Sequence, residues 1–169
     1  MKHLIHTIMN NFAIKIGDKE FWISRSVAAV GFIFNEYDNE YCILAVQRSE
    51  AAADNHHKWC CPCGYIDYNE TIAQGCAREI YEETALQVKD DKLILYGIND
   101  SPEEARQNIT FLYYQKLPQL WGLPIIYGNN SSGEIEKVKW IKLDDLDDYD
   151  WAFNHKNLIL EIFESKIKE

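Results

Sequence analysis

The feature that most constrains this chain is a set of charges at fixed spacing: Gly64, Glu70, Arg78, Glu79, Glu82 and Glu83. Ile72, Ala73, Cys76, Ala77, Ile80 and Thr84 recur at helical spacing, which predicts a helix from about Thr71, with Thr71 as its N-cap. Glu79, Glu82 and Glu83 then stand at i, i+3 and i+4 and share one face. They lie off the apolar stripe, so that face is expected to turn outward. Like charges at this spacing repel each other. A bound divalent cation reverses that cost, because carboxylate oxygens are the ligands hard cations prefer. A solvated acidic face is the ordinary account of a charge cluster. It gives no reason for the spaced glycine, Glu70 or the arginine.

The same residues resemble the Nudix box, G-x5-E-x7-R-E-U-x-E-E-x-G-U with U a bulky aliphatic residue. Gly64, Glu70, Arg78, Glu79, Ile80, Glu82, Glu83 and Leu86 fit it, and Ala85 stands where the family has glycine. Glycine at that position suggests a left-handed residue closing the helix, which would strain an alanine. The resemblance implies a Nudix-type α/β/α sandwich around a mixed sheet, covering residues from about 26 to 163. It also implies Mg²⁺ as cofactor, with Mn²⁺ as a substitute. Glu79, Glu82 and Glu83 correspond to the family's metal ligands, with the Gly64 carbonyl a frequent further one. Glu82, Glu83 and Arg78 are the implied catalytic set. Arg78 holds a carboxylate in place, a task suited to a planar fork of donors, and Glu70 is a supporting residue.

Length and composition agree with one folded unit over residues 1–169, with residues 1–20 as an N-terminal extension that matches nothing. The 169 residues include 47% hydrophobic and 13% aromatic side chains, enough for a sizeable core. The formal net charge of −10 repels nucleic-acid phosphates, so no nucleic-acid partner is expected. It repels a free nucleotide too, which adds to the case for a metal. No apolar run has the length of a membrane span, so no membrane partner is expected. The N-terminus lacks the pattern of a secretory signal, so the expected location is cytoplasmic. A homodimer is compatible with this composition.

Three of the five cysteines crowd into Cys60, Cys61 and Cys63. A structural zinc normally takes four ligands from two separated pairs, and only one Cys-x2-Cys pair is present. The cysteines are therefore expected to be small buried hydrophobes leading into the Gly64 turn.

Strands are expected over residues 21–34, 41–48, 59–62, 92–98, 108–117 and 134–143, with a polar turn at 35–40. A last helix is expected over 154–168, its apolar stripe formed by Ile159, Ile162, Phe163 and Ile167. Strands interleaved with two helices in this order point to an α+β domain. His155 opens the last helix and is expected to cap or pack locally.

Hydrolysis of a phosphoanhydride needs charge neutralisation, an activated water and an oriented substrate. The family does not fix its general base, which leaves the loop carboxylates Glu103, Glu104 and Glu134 as candidates beside the box glutamates. Arg48, at a strand end near the box, can contact phosphate or stand as a plain surface arginine. Trp121 and Tyr127, in the long 118–133 loop, can stack on a base or plug the core. The leading expectation is a Mg²⁺-dependent pyrophosphohydrolase of a nucleoside diphosphate linked to another moiety, of ADP-ribose or dinucleotide type. The alternatives are a nucleoside triphosphate pyrophosphohydrolase, a ligand-sensing module on the same fold, and prenyl diphosphate isomerisation as in a related branch.

Overall fold

The computed structural model of the protein describes residues 12–102, 108–118 and 133–168. Strands β1 (Phe12–Ile16) and β2 (Lys19–Ile23) form a separate antiparallel hairpin, most of it within the unplaced residues 1–20 and its end within the strand expected over 21–34. The main sheet holds β3 (Val27–Tyr37), β4 (Glu40–Arg48), β5 (Trp59–Cys60), β6 (Cys63–Tyr65), β7 (Ile94–Asn99), β8 (Ile109–Lys116) and β9 (Ile135–Lys142). Its spine runs β5-β4-β3-β8-β7, with β6 pairing on β3 and β9 on β4. β3 and β8 are parallel and the other pairings antiparallel, so the sheet is mixed as expected.

Two helices cover its two faces. Alternate residues of β3 sort the core, because successive strand side chains point to opposite sides. Val30, Phe32 and Phe34 pack with Ile159 and Ile162 of α2 (His155–Ile162). Ala29 and Ile33 pack with Cys76 and Ile80 of α1 (Ile72–Thr84). Gly31 lies on the α1 side at the closest approach, where a Cβ would stand 2.5 Å from Ile80 Cδ1. The α/β/α arrangement follows from this sorting. Buried Cys42, Cys61 and Cys76 take part in the same cores as small hydrophobes, and Cys60 packs with Val46, Ile135 and Ala152 in a smaller cluster. Burial pushes the Cys76 thiol up to about 12.

Several boundaries differ from the sequence reading. The strand expected over 21–34 divides at 24–26, where the Arg25 guanidinium donates to the carbonyls of Asp100 and Asn108, each at 3.0 Å. The turn expected over 35–40 contracts to Asp38 and Asn39, with φ of 53° and 60°. Asn35, Glu36 and Tyr37 instead extend the ladder opposite Cys42, Tyr41 and Glu40. The last helix widens after Ile162 into a π turn over Phe163–Ile167. Among the described residues, no helix is long and apolar enough to cross a membrane.

α1 starts and stops as its sequence predicts. The Thr71 hydroxyl accepts from Gln74 N, and the Gln74 side chain accepts from Thr71 N, a reciprocal cap. At the other end Ala85 has φ 58° and ψ 8°, and its N–H donates to Tyr81 O at 2.8 Å. An L-residue with a Cβ is strained there by roughly 1 kcal/mol relative to glycine. Ala85→Gly is therefore expected to raise unfolding free energy by about 0.5–1 kcal/mol in urea titration. An unchanged or lowered midpoint would remove the strain account.

Candidate active site

The acidic face of α1 does not turn outward as its spacing suggested. It folds under β6 and is organised by Arg78. Arg78 Nε and Nη2 donate to the two oxygens of Glu70 at 3.1 and 2.8 Å. Nη1 donates to Glu79 Oε1 at 2.8 Å and Glu82 Oε2 at 2.9 Å, and Nη2 also reaches Tyr65 O at 2.9 Å. One planar guanidinium thus holds three carboxylates and the strand that carries Gly64. A lysine, a point charge on a flexible stem, has no equivalent fork. The Glu70 carboxyl is held below its ordinary range by Arg78 and also accepts from Asp67 N at 2.7 Å.

Gly64 is fixed by close approach. A Cβ there would lie 2.2 Å from Glu79 Cδ and 2.3 Å from both Glu79 oxygens, so any side chain would displace that carboxylate. Glu83 sits deeper. Its Oε2 accepts from Cys63 N at 3.1 Å, the residue before Gly64. Burial drives the Glu83 carboxyl well above the usual carboxylate range, and Cys63 and Glu79 add to the shift. Burial also raises Glu79, outweighing the Arg78 contact that pulls it down. Glu82 is the most open of the three, with 46% of its side chain exposed.

Three carboxylates therefore share one guanidinium, Glu83 is held beside them by Cys63 N, and burial desolvates Glu79 and Glu83. The donors are all oxygens and the charge surplus is negative, which suits a hard divalent cation. Among the described residues, no three carboxylate, imidazole or thiol groups close into a cage by themselves. Magnesium asks for none, since it keeps several waters and shares its shell with one or two carboxylates and substrate phosphates.

The remaining expected residues are placed unevenly. Arg48 is largely buried. Its Nε donates to Asp54 O at 2.9 Å, its Nη2 lies 3.2 Å from Asp54 Oδ1, and its guanidinium sits 5.1 Å from the Phe153 ring centroid. It is close enough to draw Glu83 and Cys63 toward their ionised forms. Glu134 is exposed just before β9, and its carbonyl accepts from Ser49 N at 2.8 Å, beside Arg48. Glu103, Glu104, Trp121 and Tyr127 lie outside the described residues.

His155 does more than pack locally. Its Nδ1 accepts from Cys61 N at 3.0 Å, across 94 residues of sequence, and ties α2 to the segment before Gly64. Burial lowers its pKa to about 3, with Arg48 adding to the shift, so the ring is neutral and its proton resides on Nε2. Nothing in the local sequence signals this long-range role.

The family model for the NUDIX domain matches residues 24–162. The chain belongs to the Nudix family. Nudix hydrolases generally use a divalent metal. No curated protein matches it. Among solved structures it is similar to the NUDIX domain of Shewanella oneidensis NrtR complexed with ADP ribose, at 22% identity and TM-score 0.71, covering 83% of this chain and 88% of that one. It is similar also to a bifunctional NMN adenylyltransferase/ADP ribose pyrophosphatase from Francisella tularensis complexed with AMP and a manganese ion, at 24% identity and TM-score 0.70. That match covers 83% of this chain and 41% of the Francisella protein. A C. elegans Ap4A hydrolase binary complex follows at 19% identity and TM-score 0.56, covering 82% and 96%. At these identities the likeness establishes the Nudix fold.

Proposed function

We propose that this chain is a Mg²⁺-dependent pyrophosphohydrolase that cleaves the phosphoanhydride of a nucleoside diphosphate linked to another moiety, ADP-ribose foremost. The observation that carries the reading is the box itself: Arg78 aligning Glu70, Glu79 and Glu82 against Gly64, with Glu83 anchored on Cys63 N. Two of the similar structures were solved with ADP-ribose or AMP bound, which favours a diphosphate-linked nucleotide.

Glu79, Glu82 and Glu83, with the Gly64 carbonyl, would hold the ion. When bound, it supplies neutralisation of the diphosphate oxygens and a more acidic water. Arg78 keeps Glu79 and Glu82 fixed so that their oxygens need no reordering on binding. Cys63 N–H holds Glu83 in the same way. Glu134, at the β9 entry beside Arg48, is the proton acceptor we propose for the attacking water. Attack at one phosphorus breaks the bridging P–O bond and yields two monophosphates, AMP and ribose 5-phosphate from ADP-ribose. Five free thiols, four of them buried, fit the reducing cytoplasm. One folded unit acting without nucleic acid completes the proposal.

The test is a substrate panel with Mg²⁺: ADP-ribose, dinucleoside polyphosphates and nucleoside triphosphates, with products identified by mass spectrometry. The expected result is a higher kcat/KM for the linked diphosphates. Efficient cleavage of triphosphates with ADP-ribose and dinucleotides ignored would replace this reading with the triphosphate one.

A further inference from the structure

Phe153 is a bulky residue in a conformation that bulky residues avoid. Its φ is 56°, and Asn154 follows at 59°. Asparagine tolerates the left-handed region, whereas phenylalanine there is a genuine outlier. Such strain persists only where the surroundings over-determine it, and it concentrates at functional sites. The residue is 40% exposed, although its neighbours Ala152 and His155 are buried. A core plug would be sealed; this ring is held and left open.

Two contacts hold it. The Arg48 guanidinium lies 5.1 Å from the ring centroid, itself fixed by Asp54. The His155 ring meets it at 5.4 Å and 54°, a tilted contact. His155 is fixed in turn by Cys61 N, and two residues later Cys63 N fixes Glu83. Two residues of chain span at most about 7 Å. The anchor point of Phe153's neighbour and the anchor point of the box carboxylate are thus consecutive points on one short segment. Arg48 is close enough to influence both Glu83 and His155.

We propose that Phe153 is a specificity-determining residue whose ring, held by Arg48 and His155, stacks on the nucleobase of the substrate while the box engages the diphosphate. This rests on the nucleotide reading above. A planar base has a π-face that an aromatic side chain takes up independently of base identity. The reading explains why strain is retained at an exposed aromatic that packs on Arg48.

The experiment measures binding and needs no turnover, so it decides the stacking role separately from the hydrolysis reading. AMP and ribose 5-phosphate are titrated calorimetrically against the full chain in Mg²⁺, for the wild type and for Phe153→Leu, Phe153→Tyr and Phe153→Gly. Phe153→Leu is expected to weaken AMP about tenfold or more and to leave ribose 5-phosphate within about twofold. Phe153→Tyr restores AMP binding. Phe153→Gly relieves the left-handed strain, so it melts no lower than Phe153→Leu while losing AMP affinity to the same degree. Equal weakening of both probes, unchanged AMP affinity in Phe153→Leu, or a wild type that binds AMP no better than ribose 5-phosphate would overturn the proposal.

Discussion

Glu83→Gln is expected to lose at least about a hundredfold in kcat, as removal of a metal-directed carboxylate should, with the fold intact. The two effects separate for a physical reason. Glutamine keeps a carbonyl oxygen for Cys63 N–H, so the 3.1 Å bond that ties α1 to β6 survives. What disappears is a desolvated negative charge that Glu79 and burial already oppose. Stability should hold or rise, because an uncompensated buried charge is costly. Turnover assays at saturating Mg²⁺, paired with urea unfolding, measure both. Near-wild-type turnover would remove Glu83 from the catalytic set.

The second large effect is acid destabilisation through His155. Its folded-state pKa is depressed to about 3, from 6.5 in the unfolded chain. The unfolded state therefore binds the proton first as pH falls. The stability that neutral His155 contributes is complete above about pH 6.5 and is lost progressively toward pH 3. Each pH unit inside that window costs about 1.4 kcal/mol, so about 2 kcal/mol is gone by pH 5. Protonation would set a ring N–H against Cys61 N–H, 3.0 Å away, in an apolar pocket beside Phe32. Glu79 and Glu83 work in the opposite sense, since their raised pKa values make protonation stabilise the fold. The comparison that isolates His155 is therefore the pH slope against His155→Asn, whose amide oxygen can accept from Cys61 N without titrating. Urea unfolding at pH 7.5, 6.5 and 5.0 should show the wild type losing about 2 kcal/mol more than His155→Asn by pH 5. Parallel pH profiles would contradict the assignment.

The parts of the fold legible in the sequence are those that depend on local periodicity. The α1 stripe, its Thr71 cap and the β3–β4 hairpin are of that kind. The left-handed Ala85 was legible too, because a family glycine implies a backbone requirement that the substitution does not abolish. Local pattern could not show β6. Its three residues follow Pro62 and include Gly64, and only pairing with Ala28, Ala29 and Val30 makes them a strand. The sheltering of Glu79 and Glu83 was hidden for the same cause, since β6 is the element that covers them. The tie from His155 to Cys61 and the contact of Phe153 with Arg48 are not legible locally, because the partners lie far along the chain. A backbone conformation unusual for phenylalanine leaves no trace in a sequence. Arg78, by contrast, was assigned one carboxylate and holds three.

The most direct measurement incubates ADP-ribose with the wild-type protein and Mg²⁺, and follows products by mass spectrometry with and without a chelator. The account predicts equimolar AMP and ribose 5-phosphate, formed only when the divalent ion is present. Intact ADP-ribose after prolonged incubation with Mg²⁺ or Mn²⁺, or cleavage that survives chelation, would contradict it.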